Sequence, residues 1–559
     1  MGKLKYVVIS DLHLGAFYSV LTDLKRKKNG SIELTKDGSP RVEPDKSSPT
    51  LEEFGKALSI FLKLVSDDEE KPTLVLLGDV LDQAFATTLH STRTFARFAE
   101  TLFPAAESES QFQSEILYLP GNHDHREWQV TRDHIFLDSV KHTPDGREPT
   151  QSAICTALFT YPDKHSYNRM LTALIRRTTK TRGRRDDLLV KTAYPNLGFI
   201  KGDKYLILHH GHYIETTYRA ISILEHWFKP ETPLSTSIFG IERINGPWID
   251  FLWSTTGDGG KTAKDVINLF EIMQDAGASR DFTKLISDRI AESINMTQVG
   301  PSSHISVKGF SLSPKGLIRA ALDYMVGKGV QAERMAFDTA LSESGLEGLN
   351  WYLSGPVRKQ IKTKHKQDKE AAQKEQEDHH TTGLPDENIH PHEHEDVLLH
   401  RKPPFVVEKK TTFVFGHTHK PFEGRVVPDG YAFPVDVFNT GGWVLDSPSM
   451  SPTQGAALVF IDDDLNTASL RLYHDDPNES AELPAVEARG SGGPDDQSNS
   501  MLEQLKKALE AEPNLWDDFQ NTFRREADIR GRLIRRKYFK PELDPPGPVN
   551  GNAKQEESS

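Results

Sequence analysis

Cysteine is nearly absent, with Cys155 the only one in 559 residues. A single thiol excludes an intrachain disulfide and any thiolate cluster, so a bound metal has to be held by His, Asp or Asn. Long apolar runs are missing too, and none reaches the roughly 18 residues that a membrane span requires. The sequence opens Met-Gly-Lys-Leu-Lys and enters an apolar run directly, without a cleavable secretory pattern, which predicts a cytoplasmic protein. Positive charge is in deficit: 68 Lys and Arg stand against 81 Asp and Glu, a net charge of -13. That sign disfavours a protein that tracks along nucleic acid, although it leaves a local basic patch open. An apolar fraction of 36% beside a charged fraction of 27% is polar for a wholly compact chain, so some of it is expected to be loop or disordered.

Length alone suggests two to four structural units. Short β-branched runs at 6–10, 73–77, 115–119 and 204–208 read as buried strands. Phe54, Leu58, Phe61, Leu62 and Val65 share one face of a helix between the first two, and a second helical pattern lies near 92–102. Strand and helix in alternation predict an α/β sandwich with covered sheets. After Gly211 the periodicity becomes helical, at 219–228, 263–273, 282–294 and 317–326, before strands resume at 411–415, 435–438, 456–461 and 469–473. The expected organisation is therefore one interrupted domain, 1–213 completed by 405–476. A helical insertion covers 214–357, followed by a charged flexible segment at 358–404. A Pro, Gly, Ser and Asp linker follows at 477–499, then C-terminal helices at 500–540 and a disordered tail at 541–559.

Five short motifs fall at or just after the strands: Asp11-Leu-His13, Gly78-Asp79-Val-Leu-Asp82, Gly121-Asn122-His123-Asp124, His209-His210-Gly211-His212 and Gly416-His417-Thr418-His419. Carboxylate, imidazole and amide oxygen suit Mn, Fe or Zn in sites with open positions. Strand carboxyl ends lie along one rim of an open α/β sheet, where ligands bind. Singly, each motif has a plain alternative: a helix cap for Asp11 or Asp82, a turn for Gly78-Asp79, a satisfied core histidine for His210. The occurrence of all five, each after a strand, is what argues for a metal site.

Together the blocks resemble the calcineurin-like metallophosphoesterase family over roughly 4–15, 73–125, 194–213 and 411–475. The resemblance implies an α/β/β/α sandwich of two mixed sheets, here interrupted by a helical insertion and followed by a helical C-terminal tail. It also implies two divalent metal ions, Mn, Fe or Zn. One would take Asp11, His13 and His419, the other Asn122, His210 and His417, with Asp79 bridging both. His210 is chosen because the family ligand stands directly before the glycine, which leaves His209 and His212 as pocket residues. Two cations about 3.5 to 4 Å apart can hold a hydroxide between them and clamp phosphoryl oxygens. His123 resembles the family's proton donor, and Asp82 would orient its imidazole. Arg126 could grip a phosphate, or be a solvated loop arginine. The block Asn439-Thr440-Gly441 resembles the family's usual strand end.

Protein phosphatases of the family continue the second block with Arg-Gly, where this chain has Gln83-Ala84, so a phosphoprotein substrate is disfavoured. The opening from Ile9 to Gly15 is similar to bacterial UDP-2,3-diacylglucosamine hydrolases, which typically lack the His at position 123. The expectation is hydrolysis of a small-molecule, nucleotide or lipid-linked phosphodiester or pyrophosphate, with a metal-dependent nuclease or a non-catalytic scaffold as alternatives. In the insertion, Ile221, Leu224, Trp227 and Phe228, then Trp248, Ile249, Phe251, Leu252 and Trp253, suit either a lid over substrate or the insertion's own small core. The basic run from Arg176 to Arg185 reads as a solvated loop or a phosphate contact, and His379, His380, His390, His392 and His394 as a weak metal trap. Arg532, Arg535, Arg536 and Lys537 suit peripheral contact with an anionic membrane or partner, or a helix docked on the catalytic domain.

Overall fold

The computed structural model describes residues 2–36, 38–66, 70–104, 106–144, 154–177, 185–228, 234–254, 256–258, 305–307, 310–312, 343–378, 405–445, 454–474 and 485–538. Two sheets carry the architecture. The first contains β1 (Leu4–Ile9), β2 (Thr73–Leu76), β3 (Glu115–Tyr118) and β4 (Leu189–Thr192), all parallel neighbours in that order. The second sheet begins with the antiparallel pair β5 (Asn196–Lys201) and β6 (Lys204–His209). It continues through β7 (Lys410–Phe415), β8 (Phe422–Val426) and β9 (Val435–Asn439), in the order β8-β9-β7-β6-β5. The chain then returns to the first sheet with β10 (Gly455–Asp462), β11 (Thr467–His474) and β12 (Glu487–Arg489), stacked antiparallel beyond β1.

The apolar runs are continuous because both faces of the strands are buried. In β1, Val7 and Ile9 meet the outer helices, whereas Tyr6 and Val8 face the second sheet. Val75, Leu77, Leu117, Leu206, Leu208 and Val414 complete this layer between the sheets. The outer layer holds α1 (Pro49–Val65) and α2 (Thr88–Leu102), which bury Phe54, Phe61, Phe95 and Phe98. Ser48 starts α1 by accepting the Leu51 N–H at 3.1 Å, with Pro49 in the first turn where its missing N–H costs nothing. Two more helices, α3 (His125–His142) and α4 (Arg169–Arg177), follow β3 and precede β4.

The insertion covers the opposite face of the second sheet. Its described helices are α5 (Ala220–Phe228), α6 (Ile238–Ile249), α7 (Glu343–Tyr352) and α8 (Arg358–Asp378). Ile241, Ile249, Trp253, Tyr352 and Ile361 share one core with Ile207, Phe413 and Phe415 of that sheet. Ile249, Trp253 and the partly buried Trp248 therefore belong to the fourth layer of an α/β/β/α sandwich, whereas the side chains of Leu224, Trp227, Phe228 and Leu252 lie outside the described residues. Phe251 stays exposed. The helical patterns at 263–273, 282–294 and 317–326, the histidines from 379 to 394, the basic run at 178–184 and the tail at 541–559 lie outside the described residues.

Two expectations are corrected. The charged stretch after 357 is helical as far as Asp378 in α8, because its apolar start, Val357 and Ile361, is anchored in the core. The stretch taken as a linker contributes β12, which pairs with β11. At the C-terminus, α9 (Ser500–Ala511) and α10 (Asp517–Tyr538) sink Leu505, Trp516, Phe519, Phe523 and Ile534 into the outer core. That apolar face docks on the catalytic domain, one of the two readings of these helices, while Arg532, Arg535 and Arg536 remain exposed. Arg530 is fully buried on the docked face, donating to the carbonyls of Ser19 at 3.0 Å and Thr22 at 2.5 Å and pairing with Glu526 at 2.7 Å.

Candidate metal and phosphoester site

The loops leaving β1, β2, β3, β6 and β7 converge on one buried cluster. Asp11, His13, Asp79, Asn122 and His210 are all buried. Five residues of these loops adopt left-handed backbone: Asp11 at φ 53°, His13 at 45°, Asp79 at 49°, His417 at 72° and His419 at 57°. Each such position costs on the order of 1 to 3 kcal/mol for a residue with a Cβ, so the surroundings must hold it. Asp11 N–H donates to Gly78 O at 3.0 Å and His13 N–H to Asp79 O at 2.9 Å, which ties the first two loops together. Asp124 ties the third to the second, accepting N–H bonds from Asp79, Val80, Leu81 and Gly121 at 2.7 to 3.3 Å. Glycine at 78 is a steric demand as well as a φ of 85°, since a Cβ there would lie 2.4 Å from His210 Nδ1. Asn439 braces the last loop through Gly416 O and Thr418 Oγ1, both at 3.0 Å.

Three groups of donor atoms result among the described residues, and two of them share no residue: Asp11, His13 and His419 form the first of these and Asp79, His210 and His417 the second, while His13 also groups with Asp82 and His123. In the first, His13 Nε2 and His419 Nε2 lie 3.1 Å apart and Asp11 Oδ1 is 3.5 Å from His419 Nε2. His13 Nδ1 is 3.0 Å from Asp82 Oδ2, so a neutral ring donates there and aims its lone pair at the cluster. In the second, His210 Nδ1 lies 2.9 Å from the Leu77 carbonyl, which can only accept. The neutral ring then presents a lone pair at Nε2, facing Asn122 Oδ1 at 3.1 Å and Asp79 Oδ2 at 3.3 Å. His417 Nε2 makes no hydrogen bond, although Glu215 Oε1 is 3.3 Å away. Asp79 Oδ2 lies between the groups, 3.7 Å from His13 Nε2. Converging acceptor atoms without protons between them are what divalent cations satisfy, and the hard oxygen and imidazole nitrogen set suits such ions.

The charges agree with that fit. Burial alone would raise the pKa of Asp79, but His210, His123 and His13 outweigh it and hold the carboxyl well below its usual range. Burial likewise opposes ionisation of Asp11, and His210 and His419 again bring it below the ordinary value. His210 is the counterpart: burial works against its charge, yet Asp79 and Asp11 push it up to about 9. His123 is also raised, burial being overcome by Asp79 and Asp82, and its Nδ1 is 3.5 Å from Asp82 Oδ1.

The remaining expected residues divide clearly. Asp82 sits between His13 and His123 and additionally accepts from the Phe85 N–H at 2.7 Å and the Tyr18 hydroxyl. His209 and His212 are fully buried, and burial holds both well below the ordinary imidazole value, hence neutral. His209 packs on Tyr352 at 4.6 Å, and His212 Nε2 lies 3.3 Å from the Tyr194 hydroxyl. Arg126 is exposed on the first turn of α3, and none of the contacts that build the cluster involves it. Its neighbour turns inward instead: His125 Nε2 pairs with Glu242 Oε1 of α6 at 2.9 Å. Arg185, at the end of the basic run, is no phosphate contact either, being buried against Asp187 at 2.6 Å.

Sequence reasoning missed Tyr18, Asp124, Glu215 and Tyr218. Asp124 was visible within its motif, as a carboxylate placed to cap a turn; the other three carry no local signal. Tyr218 and Glu215 belong to the insertion, whose described parts wrap the cluster. Ser254 Oγ donates to Asn122 O at 2.7 Å, and Gly257 N–H to Gln83 O at 2.9 Å. Among the described residues, no helix is long and apolar enough to cross a membrane.

No curated protein matches the sequence. A protein-family match does exist: residues 4–258 match the family described as calcineurin-like phosphoesterase. That span holds the first four motifs. The fifth, at Gly416, joins them because β7 lies parallel to β6, beside the His210 loop.

Proposed function

Since residues 4–258 match the calcineurin-like phosphoesterase family, hydrolases acting on phosphoester bonds, we propose that the chain cleaves a small-molecule phosphodiester or pyrophosphate, of nucleotide or lipid-linked type, at a dinuclear metal centre. The observation that carries this reading is the pair of donor groups, Asp11, His13 and His419 beside Asp79, His210 and His417, with Asp79 Oδ2 between them. Asn122 adds its carbonyl oxygen to the second group. Mn, Fe or Zn all suit such ligands. The cations, when bound, supply a water acidified toward neutrality and offset the negative charge that builds on the phosphoryl oxygens.

The chain's own residues do the rest. His123 is the proton donor: Asp79 and Asp82 favour its imidazolium, and its side chain is 12% exposed beside the buried Asp11, His13 and Asp79. It can hand its proton to the departing ester oxygen, which would otherwise leave as an alkoxide. Asp82 restrains that ring and His13 at once, so proton donor and ligand share one carboxylate. Against a phosphoprotein substrate stands Gln83, which is buried and donates to Glu127 at 2.8 Å, turned away from any phosphate.

The test is to strip the full-length protein with chelator, restore Mn, Fe or Zn, and assay nucleotide pyrophosphates, cyclic nucleotides, lipid-linked diphosphates, phosphopeptides and DNA in parallel. The reading expects metal-dependent turnover highest on a small diester or pyrophosphate. Preferential cutting of single- or double-stranded DNA would replace it with a nuclease. Failure to bind any of the three metals would replace it with a non-catalytic scaffold.

A further inference from the structure

Resting on the dinuclear reading above, we propose that Tyr218, from the helical insertion, is a positioning residue that sets the orientation of Asn122 and thereby completes the second cation site. An asparagine amide has two ends of similar size, an oxygen that can bind a cation and an NH2 that cannot. What selects the oxygen is the partner of the nitrogen. Asn122 Nδ2 donates to the Tyr218 hydroxyl at 3.0 Å, which leaves Oδ1 facing His210 Nε2 at 3.1 Å.

Tyr218 is itself held. It is buried, it lies in a short helical turn at Thr216–Arg219 just after the His210 loop, and its ring meets Trp253 at 4.8 Å. The same ring meets His417 edge-on at 5.0 Å, so one side chain touches two residues of the second group. Ser254, further along the insertion, fixes the backbone of Asn122 from the same side. The insertion therefore reaches the cation site through a hydroxyl as well as covering the sheet. Ring and hydroxyl have separable roles: the ring packs, and the hydroxyl orients.

The experiment uses full-length protein, chelated and then titrated with Mn(II), followed by calorimetry and electron paramagnetic resonance. Tyr218→Phe keeps the ring and removes the oxygen. It should weaken one of the two Mn sites by about 10- to 100-fold, the usual effect of losing a hydrogen bond to a metal ligand, and leave the other site unchanged. At intermediate Mn the variant should show an isolated-ion spectrum where the wild type shows a spin-coupled pair. Trp253→Phe, which perturbs the packing of Tyr218 without touching its hydroxyl, should keep the wild-type Mn profile. An unaltered Mn profile in Tyr218→Phe overturns the inference alone, as does an equal loss in both variants, which would mark a packing effect. Wild-type protein that takes up no Mn overturns the dinuclear reading and this inference with it.

Discussion

Replacing Asp79 by Asn isolates the charge at the centre of the cluster. Asn has the same shape and can keep one oxygen on the His123 N–H, which donates to Asp79 Oδ1 at 2.8 Å. What disappears is the negative charge on Oδ2, 3.3 Å from His210 Nε2 and 3.7 Å from His13 Nε2. The site is buried, so solvent screens little of that loss. Removing one partner of a buried charge pair costs about 3 to 5 kcal/mol. At 1.4 kcal/mol per decade this is roughly two to four decades of cation affinity. Turnover of a chromogenic phosphodiester should fall at least as far at limiting Mn. Saturating ligand stabilises a fold by about 2.7 kcal/mol at one hundred times its dissociation constant. The wild type should therefore melt well above its chelated form in Mn, and Asp79→Asn should show little of that rise. Calorimetric titration, melting with and without chelator, and initial rates together make the assay. A variant that binds Mn with wild-type affinity and retains turnover would refute the reasoning, because Asp79 Oδ2 is the charge argued to serve both donor sets.

On the proposed role of His123 as a proton donor, His123→Ala should lower turnover by about 10²- to 10⁴-fold while cation affinity stays near the wild type. The loss should shrink for substrates with acidic leaving groups, and a constant loss across leaving groups would speak against the role. A second expectation concerns the buried pair that pins α6 to α3. Burial lowers the pKa of His125, but Glu242 and Asp250 more than reverse this and push it up to about 9. A raised folded value means the contribution is fully present below the ordinary histidine value of about 6.5 and is lost as pH rises through about 9. The span of about 2.5 units corresponds to roughly 3 kcal/mol at 1.36 kcal/mol per unit. Glu242→Gln should accordingly unfold at lower temperature near pH 6 and show a flatter dependence of melting on pH up to 9.5. Parallel melting curves for wild type and variant would remove the ion pair from the account.

Much of the site was legible because its chemistry is local. The strands are uninterrupted apolar runs, and each ends in a motif whose residue types already declare carboxylate, imidazole or amide ligands. The absence of thiols narrowed those types further. Residues with no such address were not legible. Tyr18 and Tyr218 reach Asp82 and Asn122 across 64 and 96 positions of chain, and a tyrosine looks the same in a core as at a ligand. The inward turn of Arg530 on α10 was not legible for a related reason. Periodicity assigns charge to solvent, yet Arg530 turns inward because two backbone carbonyls and Glu526 await it.

The sequence by itself determined the kinds of donor side chain, their order and their place at strand ends, since strand, turn and side-chain type are properties of a few adjacent residues. Only the tertiary structure decided that β7 lies against β6, bringing His417 and His419 to the same cluster as His210 despite the long insertion between them. It alone decided that the insertion forms the outer layer of the second sheet, because those apolar side chains could be buried equally well among themselves or on a neighbour. Packing, which depends on every surface at once, made that choice.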